Sequence, residues 1–294
     1  MHDAAAPEGR DLTSSGIAAH PSGTLLDRAL QLLATGPLDS PTIARDVLGM
    51  PRAPVLVADR LAVALLGHDP RVRRDHRGHW ALAQESPTTA TIRETVFAVV
   101  DVETTGSRPA NGDRITEVAV VLAGPGGRLE TVVDTLVNPE RPIPGAVTRV
   151  TQISDAMVRD KPVFGEVVDG VLGALAGRVF VAHNVQFDWR FLEAEVRRAR
   201  GLRLDGPRVC TVKLARRLIP GLKHRGLDSV SRYFGVDIEG RHRAGGDARA
   251  TAQILVRLLN LAADQGAETL GDLSQVDARV RPTKTAGPGW MEEI

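Results

Sequence analysis

The stretch VVDVETTG, residues 99–106, decides how the rest of the chain is read. An apolar run, Val96-Phe97-Ala98-Val99-Val100, has the character of a buried strand, yet it ends in Asp101 and Glu103. Residues two apart on a strand face the same way, so both carboxylates stand side by side at the strand's carboxyl end. Open α/β sheets place their ligands at that end. Two unpaired acids there repel and shift each other's pKa, and a divalent cation removes the conflict. An all-oxygen site with no thiolate favours Mg²⁺ or Mn²⁺ over zinc. On this stretch alone, a strand end whose acids pair with arginines is an equally good reading.

Two further acids extend the pattern. In VAHNVQFDWRFL (181–192) a buried strand stops at His183-Asn184 and a helix begins, with Asp188 in or near its first turn. Phe187, Phe191 and Leu192 are its apolar anchors. In RHRAGGDARATAQILVRLL (241–259) Asp247 opens a long helix, and Thr251, Ile254 and Leu258 share its face at helical spacing. That face packs toward the sheet, where an acid needs a partner or a metal. Four carboxylates from three separated segments can therefore meet at one sheet edge.

DVETTG, HNVQFDWRFL and HRAGGDA, in this order and at compatible spacing, resemble the three motifs of the DEDDh (DnaQ-like) 3′–5′ exonucleases. That family includes the proofreading epsilon subunit of bacterial DNA polymerase III. The resemblance covers residues 95–262. It implies an α/β, ribonuclease H-like exonuclease fold, a mixed sheet flanked by helices. It implies metal-dependent hydrolysis of phosphodiester bonds from 3′ ends, on single-stranded DNA ahead of RNA, releasing nucleoside 5′-monophosphates in proofreading or repair. The implied cofactor is a pair of Mg²⁺ or Mn²⁺ ions, with Asp101, Glu103, Asp188 and Asp247 as ligands and His242 as general base. Thr104, Thr105 and Gly106 resemble the segment that contacts the terminal 3′ nucleotide; Asn184 and Phe187 would help to frame that pocket, although Phe187 also reads as core. The implied partner is nucleic acid with a free 3′ end. The alternatives are a 3′–5′ exoribonuclease or oligonucleotide hydrolase, and a non-catalytic nucleic-acid-binding adaptor. Intact acids at all four positions argue against the adaptor.

Without the motif, His242 is a solvated histidine in an arginine-rich loop. With it, Gly245 and Gly246 suggest a loop that swings His242 in when a strand end is bound. His183 reads as structural. Arg197, Arg198, Arg200, Arg203, Arg216, Arg217, Arg225, Arg241 and Arg243 offer phosphate contacts, but most fit ordinary solvated helix faces.

The remaining sequence sets the boundaries. The chain has 294 residues, long enough for a large domain and a small one. A net charge of +1 gives no whole-molecule attraction to nucleic acid, so any basic surface is local. Cys210 is the only cysteine, which excludes an internal disulfide and suggests a reducing, cytoplasmic setting. No apolar run approaches the roughly 20 residues of a membrane span. Residues 1–23 read as a disordered tail. Residues 24–85, with three apolar helices and a hairpin over RVRRDHRGHWALA (71–83), resemble a winged helix-turn-helix domain. Residues 86–94 read as a linker, 95–265 as the exonuclease domain and 266–294 as a C-terminal tail in which Trp290 could dock. The third helix offers mainly Asp59 and Arg60 as polar groups, too few to read bases. The hairpin gathers Arg71, Arg73, Arg74 and Arg77, suited to phosphate. Sequence-independent phosphate contact, docking of a polymerase or repair protein, and a purely structural appendage are all open for this small domain.

Overall fold

A computed structural model of the chain describes residues 16–69, 71–83 and 90–273. The small domain contains α1 (Leu25–Leu33), α2 (Ser40–Asp46) and α3 (Val55–Leu66), followed by the hairpin β2 (Val72–Arg74) and β3 (Trp80–Leu82). Local chemistry sets the helix starts: the Thr24 hydroxyl accepts the Asp27 N–H at 3.1 Å, and the Asp39 carboxylate accepts that of Thr42 at 2.8 Å. Ala29, Leu33, Ile43, Val47, Ala62, Leu66 and Trp80 form its core. The Trp80 indole N–H donates to Ser40 Oγ at 3.0 Å, so the one polar atom of this buried ring is satisfied.

A strand, β1 (Ala18–Pro21), precedes this domain in the chain but belongs to the larger one. The larger domain is built on β4 (Phe97–Thr104), β5 (Ile115–Ala123), β6 (Leu129–Leu136), β7 (Val179–Ala182) and, later in the chain, β9 (Arg208–Cys210). Their order is β6-β5-β4-β7-β9, antiparallel on one side of β4 and parallel on the other. Between β6 and β7 lie α4 (Gly145–Thr151), α5 (Asp155–Val158) and α6 (Phe164–Leu175). After β7 come α7 (Val185–Arg200), β8 (Leu202–Asp205), α8 (Thr211–Leu218), α9 (Leu227–Phe234) and α10 (Ala244–Asp264).

The alternation of β4 splits the core in two. Phe97 and Val99 join Ala119 and Val121 under α8, α9 and α10, whereas Ala98, Val100 and Val102 join Val118 and Val120 under α6 and α7. Both faces are covered, which is why the strand reads as a continuous apolar run. Asp101 and Glu103 continue the odd-numbered series, on the α10 side. Thr251, Ile254 and Leu258 are buried on α10 together with Asp247, the face expected from their spacing. No helix of the described residues is long and apolar enough to cross a membrane.

Three boundaries differ from the sequence reading. Within the segment read as a tail, β1 pairs antiparallel with β8, and Ile17, 3% exposed, bridges to Ala176. A four-residue ribbon whose partner lies far along the chain leaves no local pattern. The second half of the segment read as a linker is packed: Ile92 is buried and its N–H donates to the Glu268 carbonyl at 2.8 Å. The C-terminal segment accordingly stays on the domain through Leu270 and Leu273, both buried. Residues 1–15, 70, 84–89 and 274–294, including Trp290, lie outside the described residues.

The small domain contacts this ribbon through Arg203–Asp27 at 3.3 Å and Arg71–Asp205 at 3.7 Å. Removing residues 1–23 is therefore expected to lower the stability of the large domain by at least about 2 kcal/mol, the scale of exposing one buried Ile side chain. Hydrogen exchange of the β4 and β5 amides across a denaturant series measures this; an unchanged midpoint would return the segment to the status of a tail.

Candidate active site

The site forms where β4 outruns its parallel neighbour. β7 pairs with β4 only from Phe97 to Val99, so the backbone beyond lacks a strand on that side. The Val102 N–H is taken instead by Asp188 Oδ1 at 3.2 Å. This bond satisfies a buried donor and fixes the start of α7 against the strand end. On the other side, the ladder with β5 holds Glu103 opposite Glu117 and then shifts register before Thr104. Such an irregularity ends regular pairing beside the acids.

Asp101, Glu103 and Asp247 each present a carboxylate oxygen within 4.8 Å of the other two. Asp188, 4% exposed, lies beside Asp101 but directs one oxygen to the backbone, outside that cluster of three. Burial, then the charges of Asp188, Glu103 and Asp247, push the Asp101 pKa well above the usual carboxylate range. Burial and Asp247 raise Glu103 to about 8, and burial raises Asp188 to about 7. Burial also raises Asp247, with Arg241 opposing it.

Arg241 is the partner that the sequence reading did not single out. Its guanidinium spans Asp247 Oδ2 and the Asp228 carboxylate, the latter at 2.7 Å. Asp247 Oδ1 is buried with no hydrogen-bond partner. A hard, dipositive ion fits this site: it offers oxygen donors alone, more carboxylates than cations, and one orphaned buried oxygen.

His242 sits beside the acids at a positive φ of 64°, its backbone N–H donating to Asp247 Oδ2 at 3.3 Å and its ring Nδ1 3.1 Å from Arg241 Nη1. The expected glycine hinge is corrected here. Gly245 and Gly246 belong to the first turn of α10. A Cβ on Gly246 would lie 1.7 Å from the Glu239 carbonyl oxygen, and one on Gly245 2.3 Å from Asp134 Oδ2. Close approach to backbone, not a swing, demands glycine at 246, whereas a Cβ at 245 would have to displace the Asp134 side chain.

Glu117 was also missed, although it carried the same signal as Asp101, an acid in an apolar strand. It is 2% exposed; Arg243 Nη2 approaches it at 2.5 Å, and its Oε2 accepts the Ala244 N–H at 2.9 Å. These contacts pin the start of α10, and with it Asp247, to β5. Arg114 and Glu195 do the same for α7 through bonds of 2.6 and 3.0 Å.

The remaining expected residues line the same edge. Thr104 and Thr105 turn their side chains inward: the Thr104 hydroxyl donates to the Gly106 carbonyl at 2.5 Å, and Thr105 Oγ1 accepts the Arg114 N–H at 3.0 Å. Any contact they make with a ligand is through backbone. A Cβ on Gly106 would meet the Asp113 carboxylate at 2.3 Å. Asn184 is exposed at the start of α7, and Phe187 packs half-buried on Phe191, ring centroids 5.0 Å apart. His183 is a tie between elements: Nδ1 meets the Thr211 hydroxyl and Nε2 the Arg225 carbonyl, each at 2.9 Å, and burial lowers its pKa to about 4.

The fold thus gathers an acid cluster at the carboxyl edge of a mixed sheet, with a histidine beside it. A family model described as Exonuclease matches residues 98–255, more than half of the chain, and the chain belongs to that family. It is 38% identical over 198 residues to a DNA polymerase III subunit epsilon-like protein of Rhodobacter capsulatus, covering 66% of this chain and 27% of the relative. It is 33% identical over 180 residues to the DNA polymerase III subunit epsilon of Aquifex aeolicus, covering 60% and 88%. A structure of Exonuclease X in complex with 5′-overhanging duplex DNA superposes with a TM-score of 0.50 at 28% identity, covering 62% of this chain and 99% of that one. Several matched relatives are much longer proteins, of which the match spans 13 to 30%.

The raised carboxyl pKa values set a pH dependence. The folded, metal-free protein holds protons that the unfolded carboxyls, at 3.8 and 4.5, release. Their contribution is present in full below about pH 4 and is lost as pH climbs through about 7 to 8. In EDTA the melting temperature should fall across that window, and Asp101→Asn should flatten the fall. A wild-type melting temperature independent of pH there would show that the acids are not crowded.

Proposed function

We propose that this chain is a divalent-metal-dependent 3′–5′ exonuclease that removes nucleoside 5′-monophosphates from 3′ ends of DNA, single-stranded ends foremost, in proofreading or repair. The observation that carries the proposal is the approach of Asp101, Glu103 and Asp247 to within 4.8 Å, with one Asp247 oxygen left without a partner. The epsilon relatives and the DNA held by Exonuclease X support DNA over RNA and a polymerase context.

Asp101, Glu103 and Asp247 are the residues to hold Mg²⁺ or Mn²⁺, with Asp188 supporting a second ion. Bound there, a pair of such ions supplies an acidified water and relief of charge on the phosphate. His242 would take the proton from the attacking water; its backbone N–H bond to Asp247 Oδ2 keeps the residue at the acid cluster, which supports that role. Arg241 must surrender part of its hold on Asp247 when the ligand oxygens are engaged, and Asp228 gives its guanidinium a second anchor. The backbone of Thr104, Thr105 and Gly106, with Asn184 and the accessible edge of Phe187, frames the terminal nucleotide.

The small domain we assign as a winged-helix-type module that docks a polymerase or repair protein. Val55 and Leu56 on α3 are 71% and 66% exposed, an apolar surface without base-reading groups. Two of the hairpin arginines are already committed, Arg71 to Asp69 at 2.7 Å and Arg74 to Asp59.

End-labelled single-stranded DNA, duplex DNA and RNA, incubated with Mg²⁺, Mn²⁺ or EDTA, test the activity. Stepwise shortening from the 3′ end, abolished by EDTA and by Asp101→Asn, is expected. Undiminished cleavage by Asp101→Asn would exclude its ligand role. His242→Ala should lose on the order of 10²–10⁴-fold in turnover while calorimetry shows Mn²⁺ bound as in wild type; a wild-type pH–rate profile in that variant would remove His242 as the base.

A further inference from the structure

The arginines grouped by sequence separate once their partners are seen. Arg197, Arg198, Arg200, Arg203, Arg241 and Arg243 each lie within ion-pair distance of a carboxylate. Among the described residues, Arg216, Arg217 and Arg225 have no carboxylate partner, and neither does Lys223. Of these, Arg216, Lys223 and Arg225 line one cavity, of about 500 Å³, together with His183, Asn184 and His224. It lies between the start of α7, helix α8 and the loop of residues 219–226.

Arg225 is the informative member. Its Nε is buried without a hydrogen-bond partner, and its two Nη atoms reach only the Lys223 and Pro220 carbonyls, both at the long distance of 3.4 Å. A half-buried guanidinium with unspent donors and no counter-charge is arranged for an anion. The planar fork of arginine suits two oxygens of one phosphate. In a chain with a net charge of +1, three uncompensated cations around one cleft make a local positive field.

The cleft adjoins the acid site. Asn184 lines it, four residues ahead of Asp188 on the same helix start. His183 ties the end of β7 to the loop by donating to the Arg225 carbonyl at 2.9 Å. Arg241 and Asp228, the pair beside Asp247, lie near enough to His183 to act on its charge.

We propose that this cleft binds backbone phosphates of the nucleic-acid strand upstream of the bond being cut, gripped by Arg225 and Lys223 with Arg216 at the rim. The inference rests on the nuclease reading of the acid site. It places substrate length, rather than base identity, under the control of this loop. Such contacts position a strand and carry no sequence information.

The test compares wild type with Lys223→Ala/Arg225→Ala in the full chain. Polarisation of a fluorescein-labelled single-stranded oligonucleotide in EDTA, over a salt series, reads the contact directly. The variant is expected to keep the wild-type melting temperature, to bind about tenfold more weakly, and to lose about 1.4 from the slope of log affinity against log salt, two phosphates at ~0.7 each. With Mn²⁺, kcat/KM should fall about tenfold for the oligonucleotide but much less for the p-nitrophenyl ester of thymidine 5′-phosphate, which has no neighbouring phosphate. An unchanged salt slope, no measurable DNA binding by wild type, or parallel losses on ester and oligonucleotide would each overturn the cleft. The predicted slope change in a chain that hydrolyses neither substrate would keep the cleft and overturn the nuclease reading instead.

Discussion

The functional edge of this protein depends on holding Asp101, Glu103, Asp188 and Asp247 together where water screens them poorly. Burial favours the protonated form of all four, and the charges of neighbouring acids add to it at Asp101 and Glu103, so the cluster is a local cost to the fold. The fold tolerates it because the apolar layers on either face of β4 fix the backbone independently of the acids. A ligand that binds only the assembled cluster turns that cost into affinity. Crowding and cation binding are thus two sides of the same arrangement.

Asp188 and Asp247 are held by contacts that have nothing to do with chemistry. Asp188 is placed by the backbone N–H left open where β7 stops short. Asp247 is placed by the start of α10, which Glu117 grips through both the Arg243 side chain and the Ala244 N–H. A buried ion pair of this kind is weak evidence for net stability, since desolvation offsets its attraction. Its directional bonds specify where the helix begins, and Gly246 lets that first turn approach the Glu239 carbonyl. The site is therefore a consequence of strand register and helix starts, with little left to loops.

Much of this was legible in the residues. The apolar run into Asp101 and Glu103 announced a covered strand ending in a site, and the spacing of Asp247, Thr251, Ile254 and Leu258 announced which face of α10 turns inward. Both are local signals with a fixed period. What escaped notice depends on distant pairing. β1 and β8 are short, and each is a strand only because the other is there. Arg241, Arg216 and Arg225 looked alike in sequence; only their neighbours separate an arginine held by Asp228 and Asp247 from two with no counter-charge. Gly245 and Gly246 misled for a related reason. Glycine signals either mobility or close approach, and the second applies here because a helix packs over β6 and the Glu239 turn. Glu117, by contrast, was visible as an acid in a buried strand and needed only the question already asked of Asp101.

Proton release on cation binding tests the account most directly. Near pH 7 the metal-free cluster retains protons that a divalent ion must expel to reach the carboxylate oxygens. Calorimetric titration with Mn²⁺, run in two buffers of different ionisation enthalpy, counts them. A buffer-dependent enthalpy corresponding to net proton release, lost in Asp101→Asn, is the predicted result. Tight binding with the same enthalpy in both buffers would mean that the acids were already ionised, contradicting the crowding on which the site is argued to depend.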